Sequence, residues 1–232
     1  MRLSGWVVIQ LINMSLASQA SVSNTTTSST SGVEANAAKE GNPATPLRPV
    51  QGSTGFIFPA IWSFPPFFTL QPNPSTMAHQ VELWSKLVLD WARVNRVFMV
   101  HCEAGGDDTP EVFHNKAIRR RLMPNGVRSV IGSLVKDGRA APDPPKQADT
   151  YLIYWKKPDE WGNVIYDWVI DNGMNGTIMT FWEITEGELA ESTEFHGLPA
   201  SLLRRAIDTL VKKAKAQIIK GEGEAGEGVR FF

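Results

Sequence analysis

Apolar residues recur every three or four positions in four stretches of the chain after residue 73, which is the spacing of one face of an amphipathic helix. Each stretch begins close to a proline, a residue that fits the first turn of a helix because its missing N–H is not needed there. The first stretch follows Asn73-Pro74, in which Asn is a good helix cap. The others follow Pro124, Pro158 and Pro199. The pattern therefore predicts four amphipathic helices.

Short runs rich in β-branched and aromatic residues lie between and after these helices. We expect strands at 97–102, 150–155, 216–220 and 229–232. The stretch 177–184 is expected to begin as a strand and to turn into a short helix, and a further short helix is expected at 115–122. The order helix, strand, helix, helix, strand, strand thus occurs twice, in units of roughly 80 residues.

This repeated order predicts a mixed α+β fold made of two small domains. Three helices followed by a β-hairpin are the elements of a winged helix, and roughly 80 residues suffice for one such domain. We therefore expect tandem winged-helix domains at 75–155 and 156–232, preceded by a disordered N-terminal tail. The connection between them is expected to be short, close to Trp155 and Pro158.

The chain before the helices falls into two parts of different composition. Residues 1–55 are predicted to be a disordered tail, because residues 21–55 are rich in Ser, Thr, Ala, Gly and Pro and have few large apolar side chains to bury. An apolar run from Trp6 to Leu16 follows Met1-Arg2 and precedes small residues, which is the layout of a secretory signal peptide. An over-extended start and a chance match are the alternatives.

The second part, 56–74, combines aromatic residues with five prolines. We expect an extended or polyproline-like backbone there, since proline does not fit the interior of a helix. Such a segment has no core of its own, so its aromatic side chains must pack on the following domain or on a partner. Proline restricts the unbound chain and lowers the entropy lost on docking. The sequence favours docking, with Phe64, Pro65, Pro66, Phe67 and Phe68 as the contact residues.

Charge decides against the first function that a winged helix suggests, which is DNA binding. The whole chain has a net charge of −1. Residues 156–232 contain nine Lys and Arg against thirteen Asp and Glu, and the predicted second wing contains Glu222, Glu224 and Glu227, which would repel phosphates. Arg119-Arg120-Arg121 is a basic cluster that a solvated face or a protein contact explains. A winged-helix DNA-binding transcriptional regulator is the alternative function.

No arrangement of side chains in the sequence points to catalysis, a cofactor or a metal. His101 and Cys102 are adjacent, and neighbouring strand residues point to opposite faces, so they would not meet as base and nucleophile. The four His lack a metal-ligand spacing, and the acidic stretch 183–194 does not match a calcium-binding loop. The single Cys excludes an intrachain disulfide. We expect a protein that acts by binding other proteins and uses no cofactor.

Several motifs in consistent order resemble the family of the smallest subunit of ESCRT-II, an endosomal-sorting complex. The first is Phe64-Pro65-Pro66-Phe67-Phe68-Thr69-Leu70-Gln71-Pro72-Asn73. Trp155-Lys156-Lys157-Pro158-Asp159-Glu160-Trp161-Gly162, Glu194-Phe195-His196-Gly197-Leu198 and Gly228-Val229-Arg230-Phe231-Phe232 follow at fitting spacing. The resemblance covers about residues 56–232 and leaves out the N-terminal tail.

The resemblance implies tandem winged helices that make protein contacts. It implies a non-enzymatic adaptor, two copies of which join one copy each of two larger winged-helix subunits in a hetero-tetramer. The Pro/aromatic motif docks onto those subunits in the family, and this role carries over to Phe64, Pro65, Pro66, Phe67 and Phe68. Changing the last four to Ala is therefore expected to abolish assembly and to leave the domains folded.

The resemblance also implies that the second winged helix recruits the first ESCRT-III subunit in multivesicular-body sorting of ubiquitinated membrane proteins. Phe195, His196 and Leu203 are the candidate contacts in this sequence. The family works in the cytoplasm, peripheral on the cytosolic face of endosomes, and binds no nucleic acid. A signal peptide would place the chain in another compartment, so a mis-assigned start or a tolerated disordered tail is favoured for residues 1–55.

Overall fold

The computed structural model of the chain describes residues 47–103, 109–220 and 227–232. The signal-like run, most of the predicted tail, and Glu222 and Glu224 of the predicted acidic wing lie outside the described residues. The described part is a mixed α+β protein, as predicted, with two groups of helices and two three-stranded sheets. Two short two-stranded ribbons accompany them.

The last residues of the predicted tail are ordered rather than disordered. β1 (Val50–Gln51) pairs antiparallel with β2 (Ile57–Phe58). The amide and the hydroxyl of Ser53 donate to the Glu111 carboxylate at 2.9 Å and 2.7 Å. Composition predicted disorder for residues 47–55, and it was wrong there because the pairing partners of this segment lie elsewhere in the chain.

The first unit contains two long helices and a three-stranded sheet. α1 (Pro74–Val94) begins as predicted, because the Asn73 side chain accepts hydrogen bonds from the amides of the first turn at 3.0 Å and 3.2 Å. α2 (Pro124–Lys136) begins at the predicted proline. The sheet has three strands: β3 (Met99–His101), β6 (Ala140–Pro142) and β7 (Thr150–Ile153). Their order is β3-β7-β6, and β6 was not predicted, since two Ala and a Pro give no strand pattern.

The predicted short helix at 115–122 is wrong. Residues there form a hairpin of β4 (His114–Asn115) and β5 (Arg120–Arg121). The buried Asn115 side chain accepts hydrogen bonds from the amides of Ala117 and Ile118 and so shapes the bend of the hairpin. Side-chain bonds of this kind compete with helix formation, which explains why the helix does not form.

The second unit follows the predicted order of elements. Its helices are α3 (Pro158–Asp171), α4 (Phe181–Glu186) and α5 (Ala200–Lys212). Its sheet consists of β8 (Ile178–Thr180), β9 (Ala216–Lys220) and β10 (Glu227–Phe231), in the order β8-β10-β9. As predicted, the chain passes from β8 straight into a short helix, which the Thr180 hydroxyl caps by accepting a hydrogen bond from the Glu183 amide at 3.1 Å.

Two hydrophobic cores lie on opposite faces of the first sheet. Tyr151 and Ile153 pack in the first core, among residues of α1 and α2. Leu152 and Tyr154 pack in the second core, among residues of α3 and α5. Because successive strand residues point to opposite faces, one strand contributes to both cores. The second core therefore begins before the domain boundary predicted after residue 155, since it uses residues of the first sheet.

Polar contacts cross the same junction between the two units. Arg205 of α5 donates to the Tyr154 hydroxyl at 2.5 Å and to the Pro142 carbonyl at 3.3 Å. The Ser201 hydroxyl donates to the Asp143 carboxylate at 2.6 Å. Burial raises the pKa of Tyr154, although the neighbouring Arg205 opposes this change. These bonds hold α5 against the end of the first sheet.

Candidate docking site

Residues 59–69 form two consecutive 3-10 turns, Ala60–Ser63 and Pro65–Phe68, instead of the predicted extended backbone. The two prolines fit at the start of the second turn, where a missing N–H is not needed. The Phe67 amide donates to the Phe64 carbonyl at 3.0 Å and closes that turn. We refer to Phe64 together with Pro65–Phe68 as the docking turn.

The inner side of the docking turn is part of the first core. Phe67 and Phe68 are 2% and 3% exposed. The Phe67 ring stacks on the Trp84 ring at a centroid distance of 4.3 Å, and the Phe68 ring meets the same ring edge-on at 5.3 Å. The Trp84 indole N–H donates to the Phe67 carbonyl at 3.0 Å. These two Phe cover the chain's own core, which is one of the two alternatives that the sequence left open.

This burial corrects the expectation for the fourfold change to Ala. Truncation of a buried Phe to Ala lowers stability by about 3–5 kcal/mol, since it removes apolar contacts and leaves a cavity. Changing Phe67 and Phe68 together with the prolines would remove most of the stability of a typical domain. The domains would not stay folded in that variant. Neither ring is accessible to a partner in this conformation, and a docking role for the two Phe stays a prediction.

The outer side of the docking turn faces solvent. Pro65 is exposed, and Phe64 and Pro66 are half-buried, with part of Phe64 packed against the first core. Two successive prolines have few conformations in the unbound chain, and the packing beneath them fixes the turn. A preformed apolar ridge of this kind suits a complementary pocket on a partner. Of the five predicted contact residues, the structure therefore leaves Phe64, Pro65 and Pro66 available.

The aromatic residues before the docking turn pack into the first core as well. The Phe58 and Trp62 rings stack at a centroid distance of 3.8 Å. The Trp62 indole N–H donates to the Val112 carbonyl at 2.9 Å, and the Trp62 carbonyl accepts a hydrogen bond from the Asn115 side-chain amide at 2.9 Å. These contacts hold the start of the docking turn in place. The aliphatic Ile57 in the same stretch is exposed and does not contribute to this packing.

A basic surface lies beside the docking turn. Strand β5 packs next to Pro65–Phe68. Lys116, Arg119 and Arg120 of the same hairpin are exposed, and none of the three forms an ion pair with another described residue. The sequence left a solvated face and a protein contact open for this cluster. Its position beside an exposed apolar ridge favours the protein contact, because Arg is common at interfaces.

The two residues considered for catalysis do not come together as base and nucleophile. His101 is exposed, and its Nδ1 lies 2.9 Å from the Thr150 hydroxyl. Cys102 is buried, and burial, together with the Asp149 carboxylate, raises the pKa of its thiol to about 11. The reactive thiolate is therefore scarce at neutral pH. Among the residues that the structure describes, no group of three or more His, Cys, Asp and Glu could hold a metal ion.

In the second unit, two of the three predicted partner contacts are buried. Phe195 and Leu203 belong to the second core, and the Phe195 ring packs edge-on against the Trp168 ring at 5.2 Å. His196 is half-buried. The first two side chains cannot touch a partner in this conformation, and a partner contact at this site stays a prediction.

Three large apolar side chains of the second unit are more than half exposed, and the sequence did not predict them as contacts. Ile178, Trp182 and Leu189 are 60%, 66% and 61% exposed. They lie on β8, on α4 and in the 3-10 turn Glu188–Ala190 that follows α4. An exposed Trp among apolar neighbours is a common anchor of a protein interface. The sequence feature that could have indicated this exposed surface is the adjacent pair Phe181-Trp182. Two neighbouring side chains on a short helix do not share one buried face, so one of the two had to be exposed.

Comparison with known proteins identifies similar chains. A model of the family described as ESCRT-II complex subunit matches residues 61–199. The chain is 40% identical to vacuolar protein-sorting-associated protein 25 of Xenopus laevis over 178 residues, which are 77% of the chain and 99% of the relative. It is 39% identical to the Homo sapiens protein of the same name over 178 residues, which are 76% of the chain and 98% of the relative. The relatives are thus covered almost from end to end.

Solved structures match the same share of the chain. The crystal structure of subunit VPS25 of the endosomal trafficking complex ESCRT-II superposes with a TM-score of 0.65 at 25% identity, and covers 75% of the chain and 98% of that subunit. A chain in the crystal structure of the endosomal complex ESCRT-II (VPS22/VPS25/VPS36) gives the same values. This likeness confirms the predicted tandem winged-helix fold.

Proposed function

The chain belongs to the family of ESCRT-II subunits that includes vacuolar protein-sorting-associated protein 25, and we propose that it docks into that complex through Phe64, Pro65 and Pro66. It is a non-enzymatic subunit and acts in endosomal sorting to multivesicular bodies. The observation that carries the docking proposal is the two-sided docking turn, in which Pro65 is exposed and Pro66 half-buried while Phe67 and Phe68 are buried.

The docking turn and the basic hairpin beside it support one composite contact. The Phe64-Pro65-Pro66 ridge is fixed before binding, so docking loses little conformational entropy, and each Å² of apolar area it buries contributes roughly 25 cal/mol. Arg120 lies in the strand that packs next to Pro65–Phe68, and Lys116 and Arg119 lie in the bend of the same hairpin. The receiving pocket therefore has an acidic rim around an apolar centre, since complementary charge at the rim speeds association and fixes orientation.

The partners of the docking turn are the larger subunits of the complex. The solved complex that the chain resembles contains VPS22 and VPS36 beside VPS25. Two copies of the chain join one copy each of these larger subunits in a hetero-tetramer, each copy through its own docking turn. Because the docking turn belongs to the first unit, the second unit of each copy stays free for another partner.

That other partner is the first ESCRT-III subunit, which the second unit recruits during sorting of ubiquitinated membrane proteins. Ile178, Trp182 and Leu189 support this part of the proposal, since they are exposed in the unit that lacks the docking turn. The half-buried His196 is a further contact candidate. Phe195 and Leu203 contribute by packing beneath this surface and fixing its shape.

The chain reaches the endosome through its complex and lies peripheral on the cytosolic face. Within the described residues, no helix has the length and apolar character needed to cross a membrane. Nucleic acid is not the partner, because Glu227 of the second wing forms an ion pair with Arg204 and so puts an acid where a DNA-binding wing needs a free basic side chain.

Reconstitution of the complex from purified VPS22, VPS36 and this chain tests the docking proposal. Pro65→Ala/Pro66→Ala removes the outer ridge and leaves the buried Phe in place, so assembly should weaken at least about 30-fold while the chain stays folded. Pro49→Ala/Pro145→Ala changes two exposed prolines elsewhere and should assemble normally. Size-exclusion chromatography reports assembly, and circular dichroism reports folding. Unchanged assembly of the ridge variant would contradict the proposal.

A further inference from the structure

The main-chain carbonyls of the docking turn point at one buried side chain. Gln80 of α1 is 2% exposed. Its side-chain amide nitrogen donates to the Phe67 carbonyl at 2.7 Å, to the Thr69 carbonyl at 3.0 Å and to the Pro66 carbonyl at 3.4 Å. The two N–H groups of one side-chain amide therefore serve three acceptors, two in the docking turn and one at Thr69 directly after it, and two of these acceptors share one hydrogen.

A second glutamine completes this arrangement. The Gln80 side-chain oxygen accepts a hydrogen bond from the Gln71 amide at 3.1 Å. The Gln71 side chain donates to the Thr69 carbonyl at 2.8 Å and to the Pro66 carbonyl at 3.2 Å. The docking turn is thus held between a buried glutamine and a half-buried one, which we call the glutamine clamp.

These side-chain donors add to the hydrogen bonds that the docking turn makes within its own main chain. Its prolines have no N–H to donate. Besides the bond inside the 3-10 turn, its two ends are closed by bonds from the Phe67 amide to the Phe64 carbonyl at 3.0 Å and from the Thr69 amide to the Pro66 carbonyl at 3.2 Å. The Phe67 carbonyl also accepts from the Trp84 indole N–H, and the Pro66 carbonyl from the Thr69 amide, so loss of the clamp removes one or two donors from each carbonyl and leaves each with a single donor. Fewer bonds fix the direction of these carbonyls less firmly, and with it the direction of the outward-facing prolines.

We propose that Gln80 is a positioning residue for docking: it fixes the inward carbonyls and thereby the outward direction of Pro65 and Pro66. This inference rests on the proposed function of the docking turn. Gln80 contacts no partner itself, since it is buried beneath the turn. It acts by keeping the ridge in its binding conformation before the partner arrives, which lowers the entropy lost on binding.

The experiment compares Gln80→Met with Val88→Ala. Met has a similar length and no amide, whereas Val88 is a fully buried residue two turns further along α1 and away from the docking turn. Binding to a purified VPS22–VPS36 complex is measured by isothermal titration calorimetry, and hydrogen exchange is measured at the Phe67 and Thr69 amides. Gln80→Met should bind at least about 10-fold more weakly and exchange faster at both amides. Val88→Ala should change neither, although it also lowers stability.

A carboxyl group at the same position provides a rescue. Gln80→Glu places a buried carboxyl against three carbonyl oxygens, where burial and these oxygens raise its pKa and only the ionised form has no proton to donate. As the pH falls, the carboxylate of this variant takes up a proton, and the resulting carboxylic acid has an O–H that can donate a hydrogen bond. Binding by Gln80→Glu should therefore recover at lower pH relative to the unchanged protein, while Gln80→Met should not recover. Circular dichroism at each pH separates the two roles, because a merely structural role predicts that binding recovers only together with the folded fraction.

Further variants separate the possible failures. Gln71→Ala removes the outer half of the clamp from a half-buried position and should give a smaller loss of affinity, even if Gln80→Met does not fold. Pro65→Ala/Pro66→Ala is measured alongside. If this ridge variant loses affinity but the clamp variants bind like the unchanged protein, or no more weakly than Val88→Ala, the inference is overturned and the docking proposal stands. If the ridge variant itself keeps full affinity, the docking proposal fails.

Discussion

The two three-stranded sheets of the molecule have the same number of strands and different surroundings. In the first sheet, Ile153 faces the first core and Leu152 faces the second core, so both faces are covered. In the second sheet, Val229 and Phe231 of β10 are buried, whereas the Arg230 side chain between them is exposed. The first sheet therefore joins two cores, and the second leaves one face open to solvent.

The sequences of the central strands explain this difference. Residues 151–154 are all apolar or aromatic, which is typical of a strand buried on both faces. Residues 228–231 place a charged side chain between two apolar ones, which is typical of a half-buried strand. A continuous apolar strand in a small domain thus indicates that a second element covers its other face.

Truncating one side chain on a covered face and one on the open face should show the largest difference between the two sheets. Leu152→Ala should lower the free energy of unfolding by about 2–5 kcal/mol, because it leaves a cavity in the second core. Ile178→Ala on the exposed face of the second sheet should change it by less than about 0.5 kcal/mol. Urea unfolding followed by circular dichroism measures both. Equal effects would show that the first sheet is not covered on both sides.

A glycine-to-alanine change should have opposite effects on stability in the helices on the two sides of the shared sheet. A Cβ at Gly162 of α3 would lie 2.8 Å from the Thr209 hydroxyl and 2.9 Å from the Ala206 carbonyl oxygen of α5, so Gly162→Ala should destabilise by about 1–3 kcal/mol. Gly132 of α2 has open space, so Gly132→Ala should stabilise by up to about 1 kcal/mol. Thermal unfolding of both variants tests the pair. A stabilising Gly162→Ala would contradict the close approach of α3 and α5.

Two neighbouring arginines of α5 compare a contact across the junction between the units with a contact on the surface. Arg205→Ala removes hydrogen bonds to the Tyr154 hydroxyl and the Pro142 carbonyl and should lower stability by about 1–2 kcal/mol. Arg204→Ala removes only surface ion pairs, with Glu227 among the partners, and should lower stability by less than about 1 kcal/mol. Chemical denaturation at two salt concentrations distinguishes them, because the surface pairs are screened. Larger destabilisation by Arg204→Ala would place the junction elsewhere.

Much of the fold could be predicted from local signals. The Asn73 cap and the prolines at 124 and 158 mark helix starts, because both signals act within one turn of the chain. The hairpin at 114–121 could not be predicted in this way. Its apolar spacing suits a helix, but the buried Asn115 side chain bonds to Trp62 and to the bend, and the first of these partners lies 53 residues away in the chain.

The sequence located the candidate docking site but did not show which of its side chains face the core and which face solvent. The proline spacing marked the segment, whereas five residues are too few for a periodicity that separates inward from outward side chains. Burial of Phe67 and Phe68 depends on Trp84, and the direction of the turn depends on Gln80, both far along the chain in α1. Only the folded chain brings these residues together.

Differential scanning calorimetry of the full chain tests most directly whether the shared sheet joins the two units. If the first sheet belongs to both cores, neither core persists when the other unfolds, and the two units melt together. We predict a single transition in which the calorimetric and van't Hoff enthalpies are equal, and Leu152→Ala shifts that whole transition to lower temperature. Two resolved transitions, or a shift of only one of them in Leu152→Ala, would contradict the account.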